Sequence, residues 1–305
     1  MIKTEIYEKV LFETVKRGAT EISDDVREAF KTAISTEKNE DAKRGLMATL
    51  KSMDMSKERK NPLCVDTGWP IFYFKVGNKC ELEGGFVELE NAARRAVEKA
   101  TKLGYLRATM KHPLTGYDPG NNIGMNIPDF TYKFVEGDSI EISYAAKGGG
   151  SECFGGTRHR IVAFADGIAG IEKFVIDSFV ASARAGAVCP PSVLGIGIGG
   201  TANVAANLAK EAACLRTVGS AHPDPMFRKI EEDLYEALNS LGVGILGAGG
   251  TTSVLAVNVE YAYTHIAGIA CATSTNCMVA RRASTRILAD GTIQAMKSPM
   301  WFGDR

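Results

Sequence analysis

Three cysteines are the residues of this chain best suited to do chemistry. Cys64 lies in NPLCVDTGWP, Cys189 in GAVCPPSVLG and Cys277 in ATSTNCMVARR, each among turn-forming residues. A turn presents a side chain at the surface, where functional groups concentrate. Three thiolates from distant loops can hold a metal centre whose fourth position stays open, and substrate chemistry takes place at an open metal position.

Two further residues lie near these cysteines along the chain. Asp66 follows Cys64 by two residues, and His265 precedes Cys277 by one short predicted strand. We therefore expect His265 and Cys277 at neighbouring ends of adjacent segments. A carboxylate bonded to an imidazole fixes its tautomer and raises its basicity, so Asp66 and His265 are the predicted acid/base or orienting pair beside the metal.

The composition indicates a cytoplasmic protein with reduced thiols. The seven cysteines are odd in number, and the charged N-terminal stretch lacks the apolar core of a secretory signal. We interpret Cys80, Cys214 and Cys271 as bystanders, because free cysteines commonly behave as small hydrophobes. Lys plus Arg and Asp plus Glu each total 36, so no net charge attracts nucleic acid or a membrane surface, and we expect neither as a partner.

The periodicity predicts a mixed α/β fold, with a helical N-terminal layer followed by alternating helices and strands with Gly-rich site loops. Apolar residues at helical spacing fill the first 60 residues, which form a possible helical subdomain of one domain spanning 1–305. Strands are predicted at IFYFKVG, DSIEISYAAK, VLGIGIGG, TTSVLAVNVEYAY and IAGIACAT. Two Gly-rich stretches, RATMKHPLTGYDPGNNIGMNIPDF and KGGGSECFGG, are predicted site loops.

Two other interpretations of the motifs compete with an open metal centre. GIGIGG follows a predicted strand as a dinucleotide fingerprint would, but the acidic residue required about 20 residues later is missing, since Asp224 lies in a Pro-flanked turn. Those glycines are better explained by close helix–strand packing. A closed structural zinc site of three cysteines and His265 is the other alternative, although such sites usually use closely spaced cysteine pairs.

Six strings in order give the chain a family resemblance. CVDTG, KGGGSE, CPPSVLGIGIGGT, LGVGILGAGGTTSVLAVNVE, THIAG and STNC with an Arg-rich continuation resemble the α subunit, or N-terminal catalytic domain, of class I fumarate hydratases and related L-tartrate dehydratases. The resemblance covers about residues 60–285. It implies a hydro-lyase that acts on a C4 dicarboxylate. Interconversion of fumarate and malate is the preferred reaction, and dehydration of L-tartrate is the alternative. A dehydrogenase or a non-catalytic zinc or redox-sensing protein fits these strings less well.

The resemblance also implies a cofactor and a set of site residues. The cofactor is a 4Fe-4S cluster held by Cys64, Cys189 and Cys277, with one iron free of cysteine. Asp66 and His265 match the family's catalytic Asp and His, and Arg107 matches an arginine that grips a substrate carboxylate. The turn that starts with Lys147, Gly148 and Gly149 matches a family turn whose backbone contacts the substrate.

The sequence departs from the family pattern at Val65, where the family usually has Gln, and at Cys153, where Asn is common. Loss of polar groups at such places alters specificity, so the dicarboxylate is not fixed. The chain ends soon after the last motif, without the second domain of single-chain relatives. We therefore expect a separate β subunit that supplies the proton-abstracting base, in an αβ hetero-oligomer.

Overall fold

A computed structural model describes residues 1–186 and 188–303. The helices are α1 Thr4–Thr20, α2 Asp24–Thr36, α3 Glu40–Arg59, α4 Gly85–Lys102, α5 Gly149–Cys153, α6 Gly167–Ala185, α7 Ala202–Leu215 and α8 Pro225–Ser240. The strands are β1 Trp69–Gly77, β2 Asp129–Val135, β3 Ile140–Lys147, β4 Thr157–Val162, β5 Ser192–Ile198, β6 Val254–Tyr261, β7 Ile269–Asn276, β8 Arg282–Ile287 and β9 Ile293–Met296. The predicted mixed α/β class is confirmed.

The chain forms two compact units. Unit 1 comprises Met1–Asp24, Ser52–Lys147 and Arg281–Pro299. Unit 2 comprises Asp25–Lys51, Gly148–Ala280 and residues 300–303 of the described chain. The assignment of residues 1–305 to one domain, with a helical subdomain at residues 1–60, stays a prediction.

Unit 1 is built on a mixed sheet with the strand order β2-β1-β3-β8-β9. β1 and β2 are parallel and are connected through α4, whereas β3 pairs antiparallel with both β1 and β8. The aromatic residues of β1 explain its central position, because Phe72 and Phe74 are fully buried and stack on Phe130 of β2. α1 and α4 contribute Leu11 and Val97 to the same core.

Unit 2 is built on a four-stranded mixed sheet with the order β4-β7-β5-β6. β5 is parallel to β6 and antiparallel to β7. Its residues alternate between the two faces, as they must in a strand. Leu194, Ile196 and Ile198 belong to the apolar core that includes residues of α6 and α8, whereas Gly195 and Gly197 lie against α7.

The glycines of β5 allow α7 to pack closely on the sheet. A Cβ added at Gly195 would overlap the carbonyl oxygen of Ala209, and one added at Gly197 would overlap that of Ala205. Ala205 and Ala209 are fully buried in this contact. The predicted role of GIGIGG in helix–strand packing is therefore confirmed.

The structure differs from the sequence prediction at several places, and β2, β4 and β9 were not predicted as strands. KGGGSECFGG is not an irregular loop throughout, because Gly149–Cys153 forms the short helix α5. The Arg-rich stretch after Cys277 continues into β8, which the sequence did not predict because charged residues are uncommon in a buried strand. The predicted loop 107–130 has no helix or strand as far as residue 128, but its last two residues, Asp129 and Phe130, belong to β2. None of the described helices has the length and apolar character to cross a membrane.

We expect Gly197→Ala to lower the stability of the chain. Its Cβ would lie 2.8 Å from the Ala209 amide nitrogen and overlap the Ala205 carbonyl, so α7 must shift, at a cost of about 1–3 kcal/mol. The measurement is the thermal unfolding midpoint. Gly124→Ala is the matched control, because no described atom lies within 4 Å of its Cβ position. Equal midpoints for the two variants would contradict the close packing of α7.

Candidate active site

The CVDTG turn of unit 1 carries Cys64 and Asp66 between α3 and β1. Both side chains are half-buried, while Val65 between them is 77% exposed. The turn is fixed from two sides. The Leu63 amide donates to the Ala19 carbonyl at 2.9 Å, and the guanidinium of Arg281 donates to the Asp66 carbonyl. These contacts hold a thiol and a carboxylate near the surface of unit 1.

Thr67 ties this turn to Arg107. Its hydroxyl donates to the Arg107 carbonyl at 2.8 Å, and the Arg107 amide donates back to the hydroxyl at 3.1 Å. Buried Asn122 adds a third bond, since its Nδ2 donates to the same carbonyl at 2.9 Å. The Arg107 side chain is exposed and forms no ion pair with a described carboxylate. Unit 1 thus fixes the Arg107 backbone against Thr67, which follows Cys64 and Asp66 in the same turn.

Arg281 is a site residue that the sequence reasoning missed. Its side chain is only 2% exposed, and it forms no ion pair with a described carboxylate. Its Nε has no hydrogen-bond partner among the described residues. A buried guanidinium is costly unless its donors are used, so the contact with the Asp66 carbonyl is its main compensation. Arg281 therefore positions the Asp66 turn.

Cys189 and Cys277 of unit 2 lie at the same end of its sheet, which we call the thiol end. Cys189 precedes β5 and Cys277 follows β7, and the antiparallel register pairs Val193 with Asn276. The Met278 amide donates to the Cys189 carbonyl at 3.0 Å. The Cys189 residue is exposed and Cys277 is half-buried. Strand pairing thus brings together two of the three predicted metal ligands.

The predicted proximity of His265 to Cys277 is wrong. His265 lies in the loop 262–268 between β6 and β7, which we call the histidine loop, whereas Cys277 follows the far end of β7. Because a strand advances about 3.3 Å per residue, β7 separates its two ends by about 23 Å. The error arose because a short strand was treated as a short distance. His265 is exposed, and its Nδ1 accepts the Ala267 amide at 3.1 Å.

The glycine turn also differs from its predicted form. Lys147 ends β3 with a fully buried side chain, Gly148 precedes α5, and Gly149 begins that helix. The Gly148 carbonyl accepts from the Glu152 amide at 3.1 Å. Cys153 ends α5 and is exposed. The residues match the predicted motif, but a substrate contact to this backbone stays a prediction.

The remaining thiols fit the bystander role. Cys271 and Cys214 are fully buried, and burial raises the pKa of Cys271 to about 12. Burial also raises the pKa of Cys80, with a smaller contribution from nearby Asp138. Thiols that stay protonated are poor metal ligands. Within the described residues, no group of three or more His, Cys, Asp or Glu side chains is arranged to hold a metal ion.

Comparison with known proteins identifies the family. The family model described as Fumarate hydratase (Fumerase) matches residues 8–286. The chain belongs to this family. It is therefore a hydro-lyase, and the resemblance inferred from the six strings is confirmed.

Curated relatives agree over most of the chain. A Methanocaldococcus jannaschii protein, provisionally named L(+)-tartrate dehydratase subunit alpha, is 36% identical over 93% of this chain and 98% of its own. The L(+)-tartrate dehydratase subunit alpha of Escherichia coli strain UTI89 is 34% identical over 90% of this chain and 89% of its own. The Shigella sonnei protein of that name is 33% identical over the same shares. An alignment over 93% of the chain includes most of the N-terminal helical residues, beyond the strings that carried the resemblance.

We expect Thr67→Val to lower both the stability and the activity of the protein, although the two side chains have nearly the same volume. The isosteric change removes both hydrogen bonds to Arg107 and leaves its amide without a partner, at a cost of about 1–3 kcal/mol in unfolding free energy. Because Arg107 then loses its fixed position beside the turn that carries Asp66, we also expect KM for the substrate to rise. Thr115→Val, at an exposed position in 107–128, is the control. Identical kinetics for both variants would show that the Thr67 link does not position Arg107.

Proposed function

We propose that this chain is the α subunit of an iron–sulfur hydro-lyase that interconverts fumarate and malate. The observation that carries the proposal is the pair of hydrogen bonds between Thr67 and the Arg107 backbone, which fixes Arg107 against the turn that carries Cys64 and Asp66. A metal-binding thiol, a carboxylate and an unpaired guanidinium are the groups that hydration of a dicarboxylate requires.

The proposed cofactor is a 4Fe-4S cluster held by Cys64, Cys189 and Cys277, with one iron free of cysteine. The donor set fits this group, because these three residues are exposed or half-buried in irregular segments beside strands. Cys214 and Cys271 lie inside elements and are buried, so they do not compete as ligands. When bound, such a cluster supplies a Lewis acid that turns a substrate hydroxyl into a better leaving group.

The side chains of this chain have separate roles in the proposal. The planar guanidinium of Arg107 binds one substrate carboxylate through two parallel hydrogen bonds. Asp66 and His265 handle protons at the substrate, and the backbone at Lys147, Gly148 and Gly149 contacts it. Arg281 keeps the Asp66 turn in place without touching substrate. The base that takes the carbon-bound proton is proposed to lie on the second subunit.

L-Tartrate dehydration is the second candidate, because the curated relatives at 33–36% identity are named for it. We place fumarate and malate first because the family model that matches residues 8–286 is described as fumarate hydratase. Val65 does not decide between the two substrates, since its exposed apolar side chain offers no hydrogen bond to either where the family usually has Gln.

The proposed partner is a β subunit, in a hetero-oligomer located in the cytoplasm. The naming of the relatives as α subunits supports it, because an α subunit implies a second kind of chain in the assembly. We assign the proton-abstracting base to that chain, which leaves Asp66 and His265 for the other proton transfers at the substrate. A cytoplasmic location also keeps the cluster thiols reduced.

Replacement of one proposed ligand should remove the cluster. We expect anaerobically purified Cys64→Ser, Cys189→Ser or Cys277→Ser protein to lose the broad absorption near about 400 nm of an iron–sulfur centre. Cys80→Ser, outside the proposed ligand set, should keep it. A colourless wild-type protein that contains zinc would overturn the proposal in favour of a structural metal site.

The isolated chain should bind the cluster but turn over poorly. We expect co-expression with the β subunit of the same organism to raise kcat by about 100-fold or more, the usual contribution of an acid/base group. The assay follows fumarate, L-tartrate and a methylated fumarate under argon. Full turnover by the isolated α chain would contradict the proposed need for a partner. Faster turnover of L-tartrate than of fumarate would make L-tartrate the first candidate substrate.

A further inference from the structure

Three consecutive glycines, Gly148, Gly149 and Gly150, follow Lys147 at the end of β3. A glycine has no side chain that could fix it to the fold, and its backbone has more conformational freedom than that of any other residue. The proposed function places this backbone in contact with the substrate. Such a contact is useful to a reaction when the backbone is held accurately. The groups that hold it must therefore come from the residues that follow.

Ser151 and Glu152 carry the first side chains after the glycines. Ser151 is 3% exposed, and its hydroxyl donates to the Gly148 carbonyl at 3.1 Å. The Glu152 amide donates to the same carbonyl at 3.1 Å. These two bonds shape the turn, but both lie within it, so they do not attach it to the rest of unit 2.

The Glu152 carboxylate attaches the turn with both of its oxygens. Oε1 accepts a hydrogen bond from Nζ of Lys210 on α7 at 2.8 Å, and Oε2 accepts one from the Thr157 hydroxyl on β4 at 3.2 Å. The side chains of Glu152 and Lys210 are only 22% and 28% exposed. Because water screens a half-buried ion pair less than a surface pair, this bond holds α5 more firmly than a surface pair would.

Both partners of this carboxylate are fixed to the sheet of unit 2. Lys210 follows Ala209, whose carbonyl oxygen occupies the space of a side chain at Gly195 of β5. α7 therefore lies on β5 at backbone contact distance. Thr157 pairs with Ser274 of β7. The carboxylate thus joins the three glycines to the sheet that carries the thiol end.

A second link fixes the other end of this segment. The Gly156 carbonyl accepts the Thr275 amide at 2.7 Å, two residues before Cys277. A Cβ added at Gly156 would overlap the Ser151 carbonyl oxygen, so these two residues contact each other through their backbones. The contacts of α5 therefore set the position of the glycines relative to Cys277 within unit 2.

We infer that Glu152 is a positioning residue for the hydro-lyase reaction. It holds the backbone of Gly148 and Gly149 against the sheet, so that this backbone meets the substrate at a fixed distance from the thiol end. Glu152 acts indirectly, because each of its carboxylate oxygens binds a donor of this chain. The inference rests on the proposed function, which assigns the substrate contact to these glycines.

Substitutions on both sides of the ion pair test this role in the αβ enzyme. Glu152→Gln keeps an oxygen for the Thr157 hydroxyl and loses the charge, whereas Lys210→Met keeps the apolar stem and loses the ammonium. Each should raise KM about 10-fold for fumarate or L-tartrate, whichever turns over faster, because a charge-assisted hydrogen bond is lost. The change in kcat should be smaller, and the absorption near about 400 nm should match that of wild type, since cluster ligands and proton-transfer groups are untouched.

Two further variants separate this bond from other effects of the substitutions. Lys210→Arg should keep KM within about threefold of wild type, because a guanidinium also donates to a carboxylate. The double variant Glu152→Gln/Lys210→Met should raise KM no more than either single variant, because all three lose the same bond. If the charge variants fail to fold, Thr157→Val decides. It removes the bond to Oε2 without changing a charge and should raise KM about threefold.

Asp177→Asn is the matched control. Its ion pair with Lys173 lies on α6 of the same unit at 2.6 Å, but the two side chains are 58% and 72% exposed. Loss of a solvent-exposed pair changes little, so KM and kcat should equal those of wild type.

Hydrogen exchange of the αβ assembly gives a measurement that does not depend on turnover. The amides of residues 147–153 should exchange about 10-fold faster in Glu152→Gln and Lys210→Met than in wild type and in Asp177→Asn. Unchanged exchange would overturn the inference. Faster exchange with a wild-type KM would also overturn it, because Glu152 would then stabilise α5 without serving the substrate. Loss of the absorption near about 400 nm would overturn it in favour of an effect on the cluster. Wild-type αβ enzyme without hydro-lyase activity would instead overturn the proposed function.

Discussion

The antiparallel pairing of β5 with β7 is the constraint on which the arrangement of functional groups in unit 2 depends. It places Cys189 and Cys277 on neighbouring chain segments although 87 residues lie between them in the sequence. The same pairing places His265 at the other end of these strands. The glycines of β5 serve this pairing indirectly, because they let α7 cover one face of the sheet at close range while α6 and α8 cover the other.

In unit 1, hydrogen bonds position the functional segments relative to each other. The CVDTG turn and the segment at Arg107 lack regular structure, so strand pairing cannot align them. Thr67, Asn122 and Arg281 supply the alignment by satisfying backbone groups that would otherwise stay unpaired. Loops positioned in this way can carry functional groups on a rigid scaffold, which is how many active sites are built.

Sequence reasoning succeeded where the determining interactions are local. Helical spacing predicted α2, α7 and α8, and the Gly-rich composition predicted the irregular stretch 107–128. It failed where contacts between segments distant in the sequence determine the structure. β8 is charged and was missed because its burial comes from β3 and β9, and Arg281 gave no local signal of its hydrogen bond to Asp66. His265 was misplaced for the same reason, since nearness along the chain says nothing about which end of a strand a residue occupies.

The unequal burial of the seven thiols has a consequence for handling the protein. Cys189 and Cys153 are exposed, while Cys271 is fully buried with a raised pKa. Alkylating or oxidising reagents attack accessible thiolates first. In air, a chain without its cofactor would thus lose the capacity to be reconstituted while its fold stays intact. Circular dichroism and melting curves of aged samples would look normal, so a folded sample is no guarantee of a competent one.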